Sequence, residues 1–332
     1  MKLTRTICLK IIVFFQFLSL VAFAEAPVCA AVFDSEIFGR TVWIQNPRSA
    51  PKLFPSTPHL QFSDFNVKVV GDLSSGKTPL VLIHGANSSM ETFLPQAQNF
   101  YKDRAVVLYD MRGSGNTKEP GAGYDLNVMA DDLLVVLDGL KIQKAVLHGH
   151  SAGGSTALLF AALHPSRVKA LSLEDVSGLP YKARHDLNMY DTSSTIQFLR
   201  SMKSSYSSIE NLVADASLIL KGRPAQTTDH LLKKSRRGTT FSPHKAASIE
   251  ELMLDVGTRD LSEAYTQYNG PILIMKAEYT SRYLSEEHIK RIQILRPNAE
   301  MVVMTQSGHS IHNDNPVLWE RALKEFVERV AP

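Results

Sequence analysis

Cysteine is nearly absent from this sequence: only Cys8 and Cys29 occur among its 332 residues. Cys8 lies in a leader segment that we expect to be removed, so at most one cysteine remains and no internal disulfide can form. Small disulfide-dependent folds are therefore excluded, and stability has to come from a hydrophobic core. The 44% hydrophobic and 21% charged residues are typical of a soluble globular protein.

The first 24 residues contain no acidic side chain. Three basic residues, Lys2, Arg5 and Lys10, precede an apolar stretch from Ile11 to Phe23. Small residues follow this stretch. This pattern predicts a signal peptide over residues 1–24, cleaved after Ala24, and hence export to the periplasm or secretion. Cleavage after Ala26 or Ala30 is an alternative. A membrane anchor formed by residues 11–24 is another, although this stretch is short for a hydrocarbon core about 30 Å thick.

Excess positive charge is absent outside the leader. The sequence has 36 Lys and Arg against 33 Asp and Glu, and the leader holds three of the basic residues, which leaves 33 of each sign. A neutral balance gives no reason to expect nucleic acid or an anionic membrane as a partner. We expect a small-molecule partner and no stable membrane insertion once the leader is cleaved. The basic cluster at 233–237 is typical of a solvated face.

From Leu80 onward, short continuous apolar runs alternate with amphipathic segments of helical length. This pattern predicts an α/β fold, in which helices flank a mainly parallel central sheet. The predicted strands of this sheet are Leu80–Ile83, Ala105–Tyr109, Ala145–Leu147, Val168–Leu173, Ile272–Met275 and Met301–Met304. Two β-prone runs that precede them, at 40–44 and 65–70, predict peripheral strands joined by a proline-rich loop.

The alternation breaks between Ser177 and Asn269, where helical periodicity continues without a strand-like run. We expect residues 177–269 to form a helical cap insertion, because long insertions in compact domains are usually lids or binding elements. Residues 25–176 and 270–332 would then form the core. Its last helix is predicted to begin at Asn315-Pro316 and to bury a face made of Leu318, Ala322, Phe326 and Val330.

A Gly-x-Ser-x-Gly turn, Gly149–Gly153, lies between a predicted strand and a predicted helix. Small residues at 149, 153 and 154 suit a turn so tight that it presents the serine hydroxyl at an exposed corner. This context makes Ser151 a candidate nucleophile. A serine hydroxyl needs a histidine to accept its proton, and His309 follows the last predicted strand, where it would meet Ser151.

The other histidines near these motifs have ordinary explanations. His148 and His150 flank Gly149, but strand alternation buries one and the turn constrains the other, so we expect no metal site and no cofactor. His312 is expected to be exposed rather than to line the site. Asp110 and Arg112 are expected to brace a loop beside the site.

Four ordered segments resemble motifs of the α/β-hydrolase fold family. They are His84-Gly85-Ala86, Asp110–Gly115, Gly149–Gly154, and Gly308-His309 followed by Asn315-Pro316. The resemblance implies a cap-bearing serine hydrolase with a Ser, acid, His triad. It also implies an oxyanion hole formed by the backbone N–H of Ala86, while the general rule that the residue after the nucleophile donates adds Ala152.

The acid departs from the family pattern. The usual position after the Ile272 strand falls at Thr280 or Ser281, and neither is acidic. Asp175, at the end of the preceding strand, is the expected acid, as in relatives such as haloalkane dehalogenases, and Glu278 is the alternative. Strand alternation would point Glu174 to the opposite face.

The resemblance implies hydrolysis of a carboxylic ester through an acyl-enzyme on Ser151. Serine at the elbow argues against dehalogenase or epoxide hydrolase activity, which in this family use aspartate there. Aminopeptidase or amidase, lactonase, perhydrolase and C–C hydrolase activities share the scaffold and stay open. A hydrolase-like binding protein that has lost turnover is a further alternative, motivated by Thr280 and Ser281.

Overall fold

The computed structural model describes residues 59–180, 207–208, 210–211, 214–215, 245–279 and 283–332. The predicted leader, the strand at 40–44, the basic cluster and most of the predicted cap lie outside these residues, as do Thr280 and Ser281. Within the described residues, no helix is both long and apolar enough to cross a membrane.

A seven-stranded sheet forms the centre of the part of the chain that the structure describes, in the order β1-β3-β2-β4-β5-β6-β7. Only β1 is antiparallel to its neighbour; the other strands run parallel. The prediction of a mainly parallel sheet is confirmed, and the predicted runs at 65–70 and from Leu80 onward each overlap a strand. The strands are β1 (Val67–Val70), β2 (Leu80–Ile83), β3 (Val106–Tyr109), β4 (Ala145–His150), β5 (Val168–Glu174), β6 (Ile272–Ala277) and β7 (Glu300–Met304).

Helices cover both faces of this sheet. They are α1 (Leu94–Phe100), α2 (Leu126–Gly139), α3 (Ala152–Leu163), α4 (Lys245–Thr258), α5 (Ser262–Gln267), α6 (Glu286–Leu295), α7 (Ile311–Asp314) and α8 (Pro316–Val330). Strands β2, β3 and β4 are buried along their whole length, which explains why they read as continuous apolar runs.

Helix α8 begins where the sequence predicts, with the Asn315 side chain accepting a hydrogen bond from Leu318 N. Its buried face is centred differently from the prediction. The fully buried residues are Trp319, Leu323, Phe326 and Val327, whereas Leu318, Ala322 and Val330 are only partly buried. Trp319 causes the shift, because its large side chain fills the space between the helix and the sheet.

Helices α4 and α5 lie in the part of the predicted cap that the structure describes. Asp255 on α4 accepts a hydrogen bond from Leu126 N at the start of α2, at 2.8 Å. The hydroxyl of Tyr265 on α5 donates to Ser177 O, also at 2.8 Å. This end of the segment is thus attached to the core at α2 and just after β5.

Candidate active site

Parallel strands bring their carboxyl ends to one edge of the sheet, and this edge gathers the predicted site residues. Gly85 and Ala86 follow β2, Ser151 follows β4, Asp175 follows β5, and His309 lies on the loop after β7. Since β4 lies between β2 and β5, the serine stands between the predicted oxyanion loop and the predicted acid.

Ser151 occupies a strained turn between β4 and α3. Its backbone has φ 53° and ψ −122°, a conformation that non-glycine residues rarely adopt and that costs about 1–3 kcal/mol. The turn is held because Ser151 N donates to Glu174 O at 3.0 Å. A Cβ on Gly149 would lie 2.6 Å from Gly154 Cα, so only glycine fits there. The geometry is that of the predicted nucleophile turn.

The loop after β2 lies directly against Ser151. A Cβ on Gly85 would lie 3.2 Å from Ser151 Cβ and 2.8 Å from His150 Nδ1. Ala86 therefore begins a backbone segment beside the serine. On the other side, Ala152 is the first residue of α3, and the first N–H groups of a helix have no intrahelical acceptor and carry partial positive charge. Both predicted oxyanion donors lie next to the serine in the chain or in space.

His309 contacts Asp175. Nδ1 of His309 lies 2.7 Å from Asp175 Oδ2, and the Asp175 side chain is fully buried whereas that of His309 is 27% exposed. The second oxygen, Oδ1, accepts a hydrogen bond from Ala277 N on β6 at 3.2 Å. Asp175 thus bridges β6 and the histidine loop, with φ 46° turning the chain at the end of β5. A carboxylate on Nδ1 leaves Nε2 of His309 as the basic nitrogen.

Glu278, the alternative acid, has a different partner. Its carboxylate accepts a hydrogen bond from Gln306 N at 2.7 Å, on the exposed rim of the β6 and β7 loops. Of the two carboxylates, Asp175 is the one whose hydrogen bond to His309 the structure records.

Two rings flank His309. Tyr283 stacks on it, with ring centroids 4.0 Å apart and an interplanar angle of 27°. The His150 ring lies 4.7 Å away on another side, and its Nε2 donates to His309 O at 2.8 Å. Neither contact was predicted from the sequence, because both depend on how loops from distant parts of the chain meet.

The loop after β3 is braced as expected. Asp110 accepts hydrogen bonds from Met90 N at 2.8 Å and from Asn116 N at 2.9 Å. Arg112 binds Asp132 on α2 through two hydrogen bonds of 2.5 Å, with both side chains almost fully buried. These residues tie the chain beside the site to the segment just before α1 and to α2.

A second carboxylate lies buried on the other face of β5. Glu174 does point away from Asp175, and it contacts His148, His312 and Trp319. The expectation that His312 is exposed is wrong: it is 1% exposed, because α7 turns its ring inward to Glu174. A signal was available, since a carboxylate that ends a buried strand has to find partners.

Burial and the neighbouring groups act against each other in this cluster. Burial lowers the pKa of His148, because the charged imidazolium would lose its hydration. Burial alone would raise the pKa of Glu174, but His312, His150 and the hydrogen bonds from His148 and His312 outweigh it and hold that pKa well below its usual range. Within the described residues, no group of three or more His, Cys, Asp or Glu side chains is arranged to hold a metal ion.

Comparison with known proteins agrees with this geometry. The sequence profile of the alpha/beta hydrolase fold matches residues 78–200, from β2 past β5. The described residues have the α/β-hydrolase fold, and the chain is similar to members of that family. It is similar to a 2-(acetamidomethylene)succinate hydrolase of Mesorhizobium japonicum, at 26% identity over 76% of this chain and 89% of the relative.

Further relatives have related names. An Escherichia coli protein named esterase YbfF is 24% identical over 75% of this chain and 93% of its own length. A solved structure titled marine microorganism esterase superposes with a TM-score of 0.68 at 24% identity, covering 79% of this chain and 98% of the other, and supports the fold alone. With relatives named esterase and hydrolase, the chain is an α/β-hydrolase enzyme.

Proposed function

We propose that this protein hydrolyses a carboxylic ester through an acyl-enzyme on Ser151. One observation carries the proposal. The only carboxylate hydrogen-bonded to His309 among the described residues is Asp175, which is fully buried, and His309 shares a sheet edge with the strained turn that presents Ser151. A serine, an imidazole and a buried carboxylate at one edge are the parts that acyl transfer requires.

The first half of the reaction acylates the enzyme. Nε2 of His309 takes the Ser151 proton as Oγ attacks the ester carbonyl, and Asp175 stabilises the imidazolium that forms. The N–H groups of Ala86 and Ala152 would donate to the oxyanion, each contributing about 10²–10³ in rate. The tetrahedral intermediate then collapses, and His309 returns the proton to the leaving alcohol.

The second half releases the acid. Water attacks the carbonyl carbon of the acyl group on Ser151 and gives a proton to Nε2 of His309. The N–H groups of Ala86 and Ala152 would again donate to the oxyanion that forms. Collapse of this intermediate expels the Ser151 oxygen, which recovers the proton from His309. No metal or redox group takes part in either half as proposed.

Relatives named esterase support the ester as substrate class, and the residues on which substrate choice depends would come from the predicted cap at 177–269. The contact between His309 and Asp175 argues against the alternative of a binding protein without turnover. That alternative was motivated by the lack of an acidic residue at Thr280 and Ser281. With Asp175 as the acid, no acidic residue is needed at those positions.

A fluorophosphonate probe tests the proposal, because it labels only serines that a neighbouring base activates. We expect the protein to become labelled on the peptide that contains Ser151, and Ser151→Ala to abolish labelling together with hydrolysis of p-nitrophenyl acetate. Hydrolysis of an anilide and a lactone in parallel assigns the substrate class. Absence of labelling and of turnover on all three substrates would overturn the proposal.

We also propose export, on the basis of the leader at 1–24. Mass spectrometry of the N-terminus, on protein from cells that produce the full chain, is expected to find a start just after Ala24. A protein that begins at Met1, or that keeps residues 11–24, would contradict cleavage.

A further inference from the structure

Glu174 is a buried carboxylate that accepts four hydrogen bonds, although the reaction proposed above does not use it. Its side chain is 0% exposed. Oε1 accepts from His312 N at 3.0 Å and from His312 Nδ1 at 2.7 Å. Oε2 accepts from His148 Nε2 at 3.0 Å and from Trp319 Nε1 at 2.9 Å. Four N–H groups therefore surround one carboxylate.

These donors come from the elements that carry the proposed triad. His148 lies on β4, three residues before Ser151. His312 is the second residue of α7 and lies three residues after His309. Glu174 itself precedes Asp175. One carboxylate thus connects the segments that present the nucleophile, the acid and the base.

The outer nitrogens of both imidazoles are also fixed. Nδ1 of His148 lies 2.9 Å from Ser172 Oγ, and Nε2 of His312 lies 2.8 Å from Thr92 Oγ1. Since an ionised carboxylate only accepts hydrogen bonds, the nitrogens that face Glu174 carry protons. Each ring therefore has one orientation that satisfies both of its nitrogens.

The backbone of Glu174 adds a fifth contact, because its carbonyl accepts the hydrogen bond from Ser151 N at 3.0 Å. The strained turn at Ser151 is thereby supported by the same residue that fixes His148 and His312. Aromatic rings seal the cluster, with Trp319 against His148 at 4.9 Å and Phe93 against His312 at 4.3 Å between ring centroids.

We propose that Glu174 is a positioning residue for the acyl transfer: its carboxylate holds β4, α7 and α8 together so that Ser151, Asp175 and His309 meet in reactive geometry. The proposal rests on the proposed function. Substrate does not touch Glu174, which lies on the opposite face of β5 from Asp175. Its loss should consequently act on kcat and leave KM almost unchanged.

Glu174→Gln is the informative variant, because glutamine keeps the shape of the side chain but places its NH₂ group, a hydrogen-bond donor, against N–H groups that are also donors. We expect kcat for p-nitrophenyl acetate to fall about 30- to 100-fold, as a displacement near 1 Å costs about 10² in rate, with KM within threefold. Trp319→Phe removes one donor and keeps an aromatic ring, so its kcat is expected to fall less, about three- to tenfold. It also serves if Glu174→Gln does not fold.

Phe326→Leu is the matched control, because Phe326 is buried on α8 like Trp319 but its side chain has no hydrogen-bond donor for Glu174. It should lower the Tm while leaving kcat within threefold of wild type. If Phe326→Leu lowers kcat as much as Glu174→Gln at equal loss of Tm, or if neither Glu174→Gln nor Trp319→Phe changes kcat, positioning by Glu174 is overturned.

A second readout does not need turnover. The proton between His309 Nδ1 and Asp175 should give a downfield ¹H NMR resonance, which Asp175→Asn assigns. We expect Glu174→Gln to shift or broaden this resonance and Phe326→Leu to leave it in place. If wild type hydrolyses no ester while the resonance still responds to Glu174→Gln, the proposed function fails and positioning stands; an unmoved resonance contradicts positioning.

Discussion

Glu174 and Asp175 are consecutive carboxylates at the end of β5, and they lie in opposite surroundings. Asp175 binds a histidine that is 27% exposed, on a face where the nucleophile turn and two loops meet. Glu174 binds His148 and His312, which are 0% and 1% exposed, behind a layer of aromatic rings. Alternation along one strand thus gives one carboxylate a partner that substrate can reach and the other a partner that it cannot.

The end of β5 thus supports the proposed reaction on one face and the rigidity of the site on the other. A base that transfers protons has to be reached by substrate, so its support is limited to a few contacts. The buried face around Glu174 has no such limit, and four hydrogen bonds are donated there to one carboxylate. We infer that the Asp175 side determines the reaction and that the Glu174 side determines how well its parts are aligned.

Replacing the histidine on each side separates the two roles most strongly. His309→Gln removes the proposed base, and we expect kcat/KM to fall about 10⁴- to 10⁶-fold while the Tm changes little. His312→Gln disturbs a buried hydrogen-bonded pair, so we expect a Tm lower by several degrees and a loss of kcat near tenfold. Esterase kinetics and calorimetry measure both. A reversed order of the two losses in kcat/KM would contradict the division of roles.

Closing the space between the loop after β2 and the serine should have the next largest effect. In Gly85→Ala the new methyl group would meet His150 Nδ1 at 2.8 Å and Ser151 Cβ at 3.2 Å. We expect kcat to fall about 10²-fold through displacement of the oxyanion donor at Ala86. The control is Gly76→Ala in an exposed bend, where nothing lies within 4 Å of the added carbon; φ 78° makes alanine locally strained there, so we expect the Tm to fall, but kcat should stay within twofold. Similar kcat in both variants would argue against Ala86 as a donor.

Tyr283 provides a smaller test of the face that carries Asp175 and His309. Its ring stacks on His309, so we expect it to hold the imidazole in place. Tyr283→Leu should lower kcat about tenfold, because the imidazole loses the ring that holds it. Tyr283→Phe keeps the ring and should retain kcat. A Phe variant as impaired as the Leu variant would assign the effect to the hydroxyl instead.

Low pH should reduce the stabilisation that the charged Glu174 side chain gives to the folded state. The pKa of Glu174 is held well below its ordinary value of 4.5, so its charged form stabilises the folded state. That contribution is fully present above the unfolded pKa and is lost as the pH falls through the folded pKa. We therefore expect the difference in free energy of unfolding between wild type and Glu174→Gln to be constant near neutral pH and to narrow in acid. Urea titrations at several pH values measure it, and a gap that widens in acid would contradict the assignment.

Much of this edge could be predicted from the sequence because each motif lies at the end of a buried strand. The apolar runs predict β2 to β7, and the parallel arrangement then brings Ala86, Ser151, Asp175 and His309 together. Alternation along β5 also predicts that Glu174 and Asp175 face opposite ways. These features depend only on local pattern and on the geometry of a parallel sheet.

The sequence indicates that Glu174 needs buried partners, but it could not predict which residues these are, because the contacts depend on register and docking. His148 meets Ser172 through the pairing of β4 with β5, and Trp319 reaches Glu174 only once α8 has packed on the sheet. His312 looks like an exposed loop residue until the short helix α7 turns it inward. Tyr283 belongs to the same class, since its contact with His309 depends on the paths of two loops.

The assignment of the acid is the central claim, and kcat/KM of Asp175→Asn beside Glu278→Gln tests it most directly. Asparagine at 175 would favour the wrong tautomer of His309, so the account predicts a fall of about 10⁴-fold. Glu278→Gln is predicted to stay within threefold of wild type, because Glu278 is hydrogen-bonded to Gln306 N and has no recorded contact with His309. Loss of activity in Glu278→Gln with activity retained in Asp175→Asn would contradict the account.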